Sequence, residues 1–426
     1  MTKFSVCAIL MSLLAIFINT RAYGQFKVDA QIRPRIEVRD GYQKLAHEGA
    51  IPAVFISQRT RLNIGYENDW LKLRIAPQDV RIWGDEHNVT LSGNAGDTAS
   101  FDLYEAFAEI RISQSLSLKA GRQQISYDND FLLEKGNWNQ YGNASDAVVL
   151  KFGKSGWNIH AGSAWNTLTE SFSDNLFPTD RYKSLSFLWV NREISGSLKG
   201  SLLHVATGRT QTDTTNRINF RHTTGVYAAF TKEKIDAWGN FYYQYGKSQP
   251  GKPVSAFLFT ADIKYKTDLL SPGAGMAYVS GNKETGAAQT KDHLFDLIYT
   301  SRHTYFGFMD YFKTFTSHTK QGGLADFYYY LDFRMSKAAS IRNTGHYFIL
   351  AQTNPSTPAE KNLGYENDLV LKYKFNDWAA MEAGYLFFLP TESLKTIQGV
   401  QDDKFSQFLY LQLTLTPELF KQQIQQ

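Results

Sequence analysis

The sequence contains a single cysteine, Cys7, among its 426 residues. That cysteine lies in the apolar run SVCAILMSLLAIFI, which follows Lys3 and precedes the small residues Ala22 and Gly24. This pattern is typical of a cleaved secretory signal, so we expect residues 1–24 to be removed, with a retained membrane anchor as the alternative. The mature chain would then hold no disulfide, no thiolate metal site and no cysteine nucleophile.

A second long apolar run is also missing. No later segment approaches the roughly 18 apolar residues of a spanning helix. A large excess of one charge sign is missing too. Removing Lys3 and Arg21 reduces the 45 basic residues to 43, against 41 acidic residues. This balance argues against a nucleic-acid-binding protein.

Catalytic motifs are absent from the sequence. It has no G-x-S-x-G, no H-E-x-x-H and no glycine-rich phosphate loop after a strand, and its nine histidines have no fixed spacing. We therefore expect no enzyme, no cofactor and no metal site. An outer-membrane hydrolase of lipid or polysaccharide is the less favoured alternative.

Aromatic residues are abundant, at 15% of the chain, although the mean hydropathy is only −0.36. Alternation explains the combination, as in QIRPRIEVR (31–39), where charged side chains share one parity and Ile, Pro and Val share the other. A lone arginine facing lipid at mid-bilayer costs about 2–4 kcal/mol, so the charged face must point into a wet interior. A soluble sandwich or propeller is the alternative.

The same alternation recurs along the whole chain, separated by short polar turns and by longer loops rich in Gly, Asn, Ser and Thr. It switches parity near Ala76-Pro77, which predicts a bulge in that strand. We predict an all-β protein: one transmembrane antiparallel β-barrel of about 18 strands in the bacterial outer membrane. The predicted barrel covers residues 25–416, and residues 417–426 form a short C-terminal tail.

Basic residues concentrate on the predicted inward face of the first third of the chain. The candidate pore-lining and anion-binding residues are Arg33, Arg35, Arg39, Arg59, Arg61, Arg74, Arg81, Arg111 and Arg122. Their candidate acidic partners are Glu37, Asp79, Glu105 and Glu109. Two interpretations stay open: a lattice of ion pairs that stiffens the barrel, and a cationic track for an anionic solute.

Two further groups of residues are weighed in the same way. Trp138, Asn139 and Tyr141 lie in a polar stretch that is a candidate for a loop folded over the pore. Several aromatic residues are assigned to the membrane interface or the lipid face. These are Trp70, Trp83, Tyr104, Trp165, Trp189, Trp238, Tyr243, Tyr328, Tyr330, Phe387 and Phe388.

An ordered set of short segments resembles the bacterial alginate-export family of outer-membrane barrels. The segments are Gln58–Leu62, Gln78–Gly84, Tyr104–Phe107, Lys119–Tyr127, Trp138–Gln140, Asp146–Val148, Arg302–Phe312, Gly323–Asp326, Leu363–Leu369, Glu382–Tyr385 and Phe388–Pro390. They fall in family order from about residue 30 to residue 416, whereas the middle of the chain, roughly 155–290, matches poorly.

The resemblance implies a monomeric barrel of 18 strands whose arginine-rich lumen passes an anionic uronate polymer. It carries over Arg59, Arg61, Arg74, Arg81 and Arg122 as lumen candidates. We expect a passive channel for anionic solutes, such as alginate, its oligomers or organic acids, embedded in outer-membrane lipid. A general or sugar-selective porin with structural lumen charges is the alternative.

Overall fold

The computed structural model describes residues 23–84, 100–173, 176–297 and 302–425. The predicted signal peptide therefore lies outside the described residues, except for Tyr23 and Gly24. Those two residues begin the first strand. The strands are β1 Tyr23–Asp40, β2 Ala53–Glu67, β3 Leu71–Ile82, β4 Ser100–Ser113, β5 Leu116–Gln123, β6 Ser145–Lys154, β7 Trp157–Trp165, β8 Ser184–Ser195, β9 Leu198–Thr210, β10 Ile218–Lys232, β11 Ile235–Lys247, β12 Pro253–Tyr265, β13 Leu270–Val279, β14 Leu324–Arg334, β15 Ala339–Ile349, β16 Asn362–Lys374, β17 Ala379–Pro390, β18 Ser406–Leu415 and β19 Glu418–Gln425.

Each strand pairs antiparallel with the next, and the sheet closes on itself. The far edge of β1 pairs with β18 along Ile32–Asp40 and with β19 along Tyr23–Asp29. β18 and β19 are thus two halves of one barrel strand, interrupted at Thr416-Pro417. The closed 18-strand barrel confirms the predicted fold class and strand number. From β1 to β18 every strand pairs on both sides, as a spanning sheet requires.

β19 lies in the segment assigned from the sequence to a C-terminal tail. It continues the wall of the barrel past residue 416 by pairing with the first residues of β1. Proline is tolerated at such an interruption because it has no N–H to donate to the ladder.

Connections alternate in length around the barrel. Those after β2, β4, β6, β8, β10, β12, β14 and β16 have two to four residues, whereas the other connections are longer, apart from the two-residue interruption between β18 and β19. We call the two ends of the barrel the short-turn end and the long-loop end. The first and last described residues, Tyr23 and Gln425, lie at the short-turn end.

Side chains alternate between the two faces of the wall. In β1, Ile32 is 39% exposed, whereas the next residue, Arg33, is 3% exposed. The outward face is apolar and the inward face is polar, as the alternation predicts for a wall between hydrocarbon and lumen. The described helices are short: α1 Arg302–Tyr305, α2 Phe315–His318, α3 Glu392–Gln398 and a 3₁₀ turn at Gly286–Ala288. None of these helices is long and apolar enough to cross a bilayer.

Two long loops fold into the barrel. We call residues 124–144, between β5 and β6, loop A, and residues 280–323, between β13 and β14, loop B; residues 298–301 of loop B lie outside the described residues. Apolar side chains of both loops belong to the buried core, including Phe131 and Leu133 of loop A and Phe306 and Phe312 of loop B. Part of the interior is therefore packed rather than wet.

Candidate functional site in the barrel lumen

Arg33 and Arg59 hold loop A against the wall. Arg33 donates hydrogen bonds to the carbonyl oxygens of Asn137 (2.6 Å) and Asn139 (2.9 Å) and to Gln140 Oε1 (2.8 Å). Arg59, which is 1% exposed, donates to Asn137 Oδ1 at 3.0 Å. All these acceptors are neutral, so the contacts position the loop without cancelling the two positive charges.

The next cations on β1 share one carboxylate. Glu37 accepts hydrogen bonds from Arg35 and Arg39, each at 2.7 Å. The Arg35 guanidinium also lies 3.9 Å from the ring centroid of Trp138, a cation–π contact. Trp138 was a candidate for a loop folded over the pore, and the structure confirms that it lies inside the barrel.

Arg61, on β2, faces the lumen and contacts side chains of β3 and β4. Its guanidinium donates to Gln78 Oε1 at 2.7 Å and lies 3.4 Å from the ring centroid of Tyr104. Gln78 in turn donates to the carbonyl oxygen of Tyr141, at 2.9 Å. Arg61 therefore supports loop A indirectly, through neighbours that also face inward.

The remaining inward charges of this region form ion pairs. Arg74 lies 2.6 Å from Glu105, and Arg111 lies 2.5 Å from Glu67. Glu109 accepts from Lys151 at 2.9 Å, a partner outside the predicted set. These pairs match the lattice interpretation of the charges; Glu105 is buried, whereas the other members are partly exposed.

The predicted lumen positions of Asp79 and Arg81 are wrong. Residues directly opposite in an antiparallel ladder share a face. Asp79 pairs with Thr60, and Thr60 pairs with the outward Ile32. Arg81 and Asp79 form an ion pair at 2.8 Å on that outward face.

Arg122 lies at the long-loop rim, where its ladder position is outward but its side chain lines a cavity together with Tyr104 and Glu134. It pairs with Ala106, which pairs with the outward Ile75. Its guanidinium contacts Asp146 (3.2 Å) and Asp102 (3.4 Å) at the long-loop end.

The physical reason is a bulge on the neighbouring strand. The register between β3 and β4 shifts at Ala76/Pro77, but the extra residue is Tyr104 of β4, which has no partner in the ladder. β3 itself keeps one register with β2, so its faces do not switch as the sequence suggested. Arg74 therefore points inward and Arg81 points outward.

Carboxylates on β16 hold loop B, and they are not among the site residues predicted from the sequence. Glu366 accepts a hydrogen bond from the backbone N–H of Met309 at 2.7 Å, and Asp368 accepts one from the N–H of Phe308 at 3.2 Å. Both carboxylates are buried. A signal was available, because the segments Arg302–Phe312 and Leu363–Leu369 are both among the family-like stretches, and here they bind each other.

The two loops meet around Trp138. Its ring stacks on His303 of loop B, with centroids 3.8 Å apart and planes at 11°. His303 pairs with Asp310 at 2.8 Å, and Asp310 also accepts a hydrogen bond from Tyr42 of the loop after β1. Burial by itself raises the pKa of the Asp310 carboxyl, but His303 and the hydrogen bond from Tyr42 outweigh it, so the pKa lies below its ordinary value.

A cavity of about 1310 Å³ occupies the lumen between these loops and the short-turn end. Its walls include Arg33 and Trp138 on one side and the inward residues of β11 to β18 on the other. Three of the lining residues form one network: Asp262 accepts from Tyr330 at 2.9 Å and from Tyr328 at 3.0 Å. A smaller cavity toward the long-loop end, of about 410 Å³, shares Glu134 of loop A with the large one.

Several aromatic residues assigned from the sequence to the lipid face or the interface lie inside instead. Tyr104 and Phe388 are buried, and Trp238, Tyr328 and Tyr330 line the large cavity. Trp189 donates a hydrogen bond to Asp128 of loop A at 3.0 Å. The alternation identifies the two faces of a strand but not which face is inward when both carry aromatics.

Metal binding has no candidate within residues 23–84, 100–173, 176–297 and 302–425, where no group of three or more His, Cys, Asp or Glu side chains converges suitably.

The similarity to a known protein family extends over most of the chain. A model of the family described as alginate export matches residues 25–406. No curated protein matches the chain significantly.

Solved structures with the same architecture include three porin-fold proteins of two bacteria. Pseudomonas aeruginosa OpdL has a TM-score of 0.62 and 12% identity, covering 93% of this chain and 99% of its own. Pseudomonas aeruginosa OccK5 (OpdH) has a TM-score of 0.60 and 9% identity, covering 93% and 98%. Acinetobacter baumannii OccAB2 has a TM-score of 0.62 and 12% identity, also covering 93% and 98%. At these identities the likeness shows the fold alone.

Proposed function

Because the chain belongs to the alginate export family and is a bacterial outer-membrane β-barrel, we propose that it is a passive channel for anionic solutes. The preferred solute is a uronate polysaccharide such as alginate, or its oligomers. The barrel acts as a monomer surrounded by outer-membrane lipid. Its short turns face the periplasm and its long loops face the outside.

The observation that carries this proposal is the charge balance behind loop A. Arg33, Arg35, Arg59 and Arg61 lie on two adjacent strands, and Glu37 is the carboxylate bonded within this set. Among the described residues, Arg33 and Arg59 bond only to neutral groups, so their charges still act on a solute in the cavity that Arg33 lines. A positive potential in a narrow, partly dry lumen raises anion occupancy and rejects cations.

Transport then needs only enrichment and weak binding. The guanidinium fork suits a carboxylate, and its charge persists at every pH that the cell meets. Because Arg33 and Arg59 are already hydrogen-bonded to loop A, they attract an anion mainly through their electrostatic field and have little capacity left to bind it directly. Weak contacts of that kind allow a solute to leave as well as to bind.

A second candidate function is a general or sugar-selective porin. It is favoured by the ion pairs Arg74–Glu105, Arg111–Glu67 and Arg35–Glu37, in which the cation is matched by an acid. In that case the arginines stiffen the wall and hold the loops without selecting the solute.

Single-channel reversal potentials in a potassium chloride gradient test the proposal. We expect the wild-type barrel to prefer chloride. The double variant Arg33→Gln/Arg59→Gln should lose most of that preference, whereas Arg33→Lys/Arg59→Lys, which keeps both charges, should retain it. Cation preference in the wild-type protein, or equal selectivity of the two double variants, would contradict the proposal.

The outward arginine supplies the matched control. Arg81→Gln removes the same charge from the same region of the wall but from its outer face. We expect its selectivity to equal that of the wild type.

A further inference from the structure

A charged pocket lies at the short-turn end of the barrel. It has a volume of about 470 Å³ and is bounded by the turns after β14 and β16, residues 335–338 and 375–378. Four basic side chains line it, against two acidic ones. The basic residues are Arg334, Lys337, Lys372 and Lys374, and the acidic residues are Asp377 and Glu382.

Half of this positive charge is not neutralised. Lys374 lies 2.6 Å from Asp377, and Lys372 lies 3.3 Å from Glu382. Arg334 and Lys337 have no acidic partner among the residues that the structure describes, and both are exposed. The pocket therefore carries a net positive charge in contact with solvent.

The pocket opens directly into the lumen. It shares five lining residues with the 1310 Å³ cavity, namely Arg334, Ser340, Lys372, Glu382 and Gln412. In the ladder, Arg334 pairs with Ser340, and Lys372 pairs with Glu382, so these side chains share the inward face of the wall. A group bound in the pocket stands at the entrance of the cavity that Arg33 also lines.

The remaining lining suits a sugar ring. Trp378, in the turn after β16, is 49% exposed and offers an aromatic face at the pocket. Ser336 and Asn376 add hydroxyl and amide groups beside it. Trp378 and Arg334 line the same pocket, which offers an acidic sugar an aromatic ring for its apolar face and a guanidinium fork for its carboxylate.

We propose that this rim pocket is a loading site that captures a carboxylate-bearing sugar chain on the periplasmic side and delivers it to the lumen. The site rests on the proposed anion channel but adds a location and a direction to it. Arg334 and Lys337 attract and hold the first uronate unit. Lys372 and Lys374 then release Glu382 and Asp377 and bind the uronate carboxylate instead as the sugar chain advances, because exposed ion pairs of this kind are weak.

The test uses full-length barrels in planar bilayers of neutral phosphatidylcholine, so that no lipid supplies an anion. A short oligogalacturonate is added to one side at a time, and its current block is recorded. Orientation is read from a Ser197→Cys tag in the turn after β8, with a membrane-impermeant thiol reagent. We expect the blocking rate to be higher from the short-turn side than from the long-loop side.

The variant Arg334→Gln/Lys337→Gln should lower that blocking rate about 3- to 10-fold, as expected when two steering charges are removed. The rate from the long-loop side should not change. The matched control is Lys199→Gln/Lys232→Gln, which removes two exposed lysines beside other short turns and outside the pocket. It should block like the wild type.

The outcomes separate the two proposals. A normal blocking rate in Arg334→Gln/Lys337→Gln, or block without sidedness, overturns the loading site even if the channel prefers chloride. A wild-type barrel that prefers cations overturns the anion channel itself. If Arg334→Gln/Lys337→Gln and Lys199→Gln/Lys232→Gln both lost the block, the overall charge of the barrel would explain the effect. That result would also overturn the loading site.

Discussion

Gly307 lies where loop B touches the barrel wall. Its φ of +80° is in the left-handed region, and a Cβ added there would lie 2.5 Å from Glu366 Oε1. Two residues later, the N–H of Met309 donates to that same oxygen. The absence of a side chain at 307 thus permits the close approach on which the carboxylate contact depends.

A substitution at this glycine should weaken the docking of loop B. We expect Gly307→Ala to destabilise the protein by about 2–4 kcal/mol, combining left-handed strain with the clash. Gly286→Ala is the control, because Gly286 is in the same loop with φ +66° but has nothing within 4 Å of the added Cβ. Strain alone should cost it about 1–2 kcal/mol.

Denaturant unfolding in detergent and limited proteolysis of loop B measure the two effects. The reasoning would be contradicted if the two alanine variants were equally stable, because the difference between them isolates the contact with Glu366.

Individual side chains are also where sequence reasoning fails most often. The period of two correctly places Arg33, Arg35, Arg59 and Arg61 on one face. The prediction fails on β3, where we expected the faces to switch at Ala76-Pro77, because the unpaired residue is Tyr104 of β4 and the period of two continues through β3. Nothing in the local sequence states which of two adjacent strands carries the extra residue.

At the scale of elements, strand residues hold the inner loops by two opposite chemistries. Arginines of β1 and β2 donate to carbonyl oxygens of loop A, whereas acids of β16 accept from N–H groups of loop B. Trp138 and His303 then join the two loops. Each loop is therefore held to the wall by its own strands and to the other loop by the Trp138–His303 stack. Loosening one loop should affect the other.

Acid should loosen loop B through Asp310. Its pKa is depressed below the ordinary value of 3.8 in the folded protein, although burial alone would raise it. A carboxyl of this kind stabilises the fold above its ordinary pKa and loses that contribution as the pH falls through its folded value. We therefore expect the loop to stay attached at neutral pH and to loosen below about pH 3.8.

Single-channel current noise, recorded in steps of pH, reports this loosening. Asp310→Asn should be noisy already at neutral pH and should lack the acid-dependent rise. An unchanged acid response in that variant would assign the effect to other carboxylates.

Strands and loops differ in how well the sequence predicts them. A strand's pattern is set by lipid on one side and lumen on the other, so alternation predicts most of the wall. Loop A was recognised as a candidate to fold over the pore, because Trp138 is a large aromatic in a polar stretch. Loop B was not, because its apolar side chains pack against residues such as Phe348 and Phe388 that are distant in sequence.

At the scale of the whole molecule, closure follows from the solvent rather than from any motif. A sheet in hydrocarbon must pair every edge, so the number of strands could be estimated from chain length and strand length. The seam could not be located in this way. At the seam, Pro417 and a register shift between Val28 and Asp29 interrupt the ladder. In the sequence, the proline therefore looks like the end of the last strand.

The seam leads to a prediction about the last residues of the chain. β19 pairs with β1 and with no other strand, whereas β18 pairs with both β1 and β17. Deleting residues 418–426 therefore leaves the barrel closed through β18, so we expect the protein to fold and insert. It should nevertheless lose the ladder bonds to Tyr23–Asp29, each of which contributes about 0.5–1.5 kcal/mol, and should unfold at a lower temperature.

Heat-modified mobility on gels measures that temperature, with deletion of residues 425–426 as the control. A tail that lies outside the wall would give the same unfolding temperature for both deletions. A wall strand gives a clearly lower temperature only for the longer deletion, because the short deletion removes a single ladder partner, Gln425, whereas the longer one exposes the edge of β1 from Tyr23 to Asp29. The free outer edge of β19 does not protect it from this loss, since the bonds at stake are those on its β1 side.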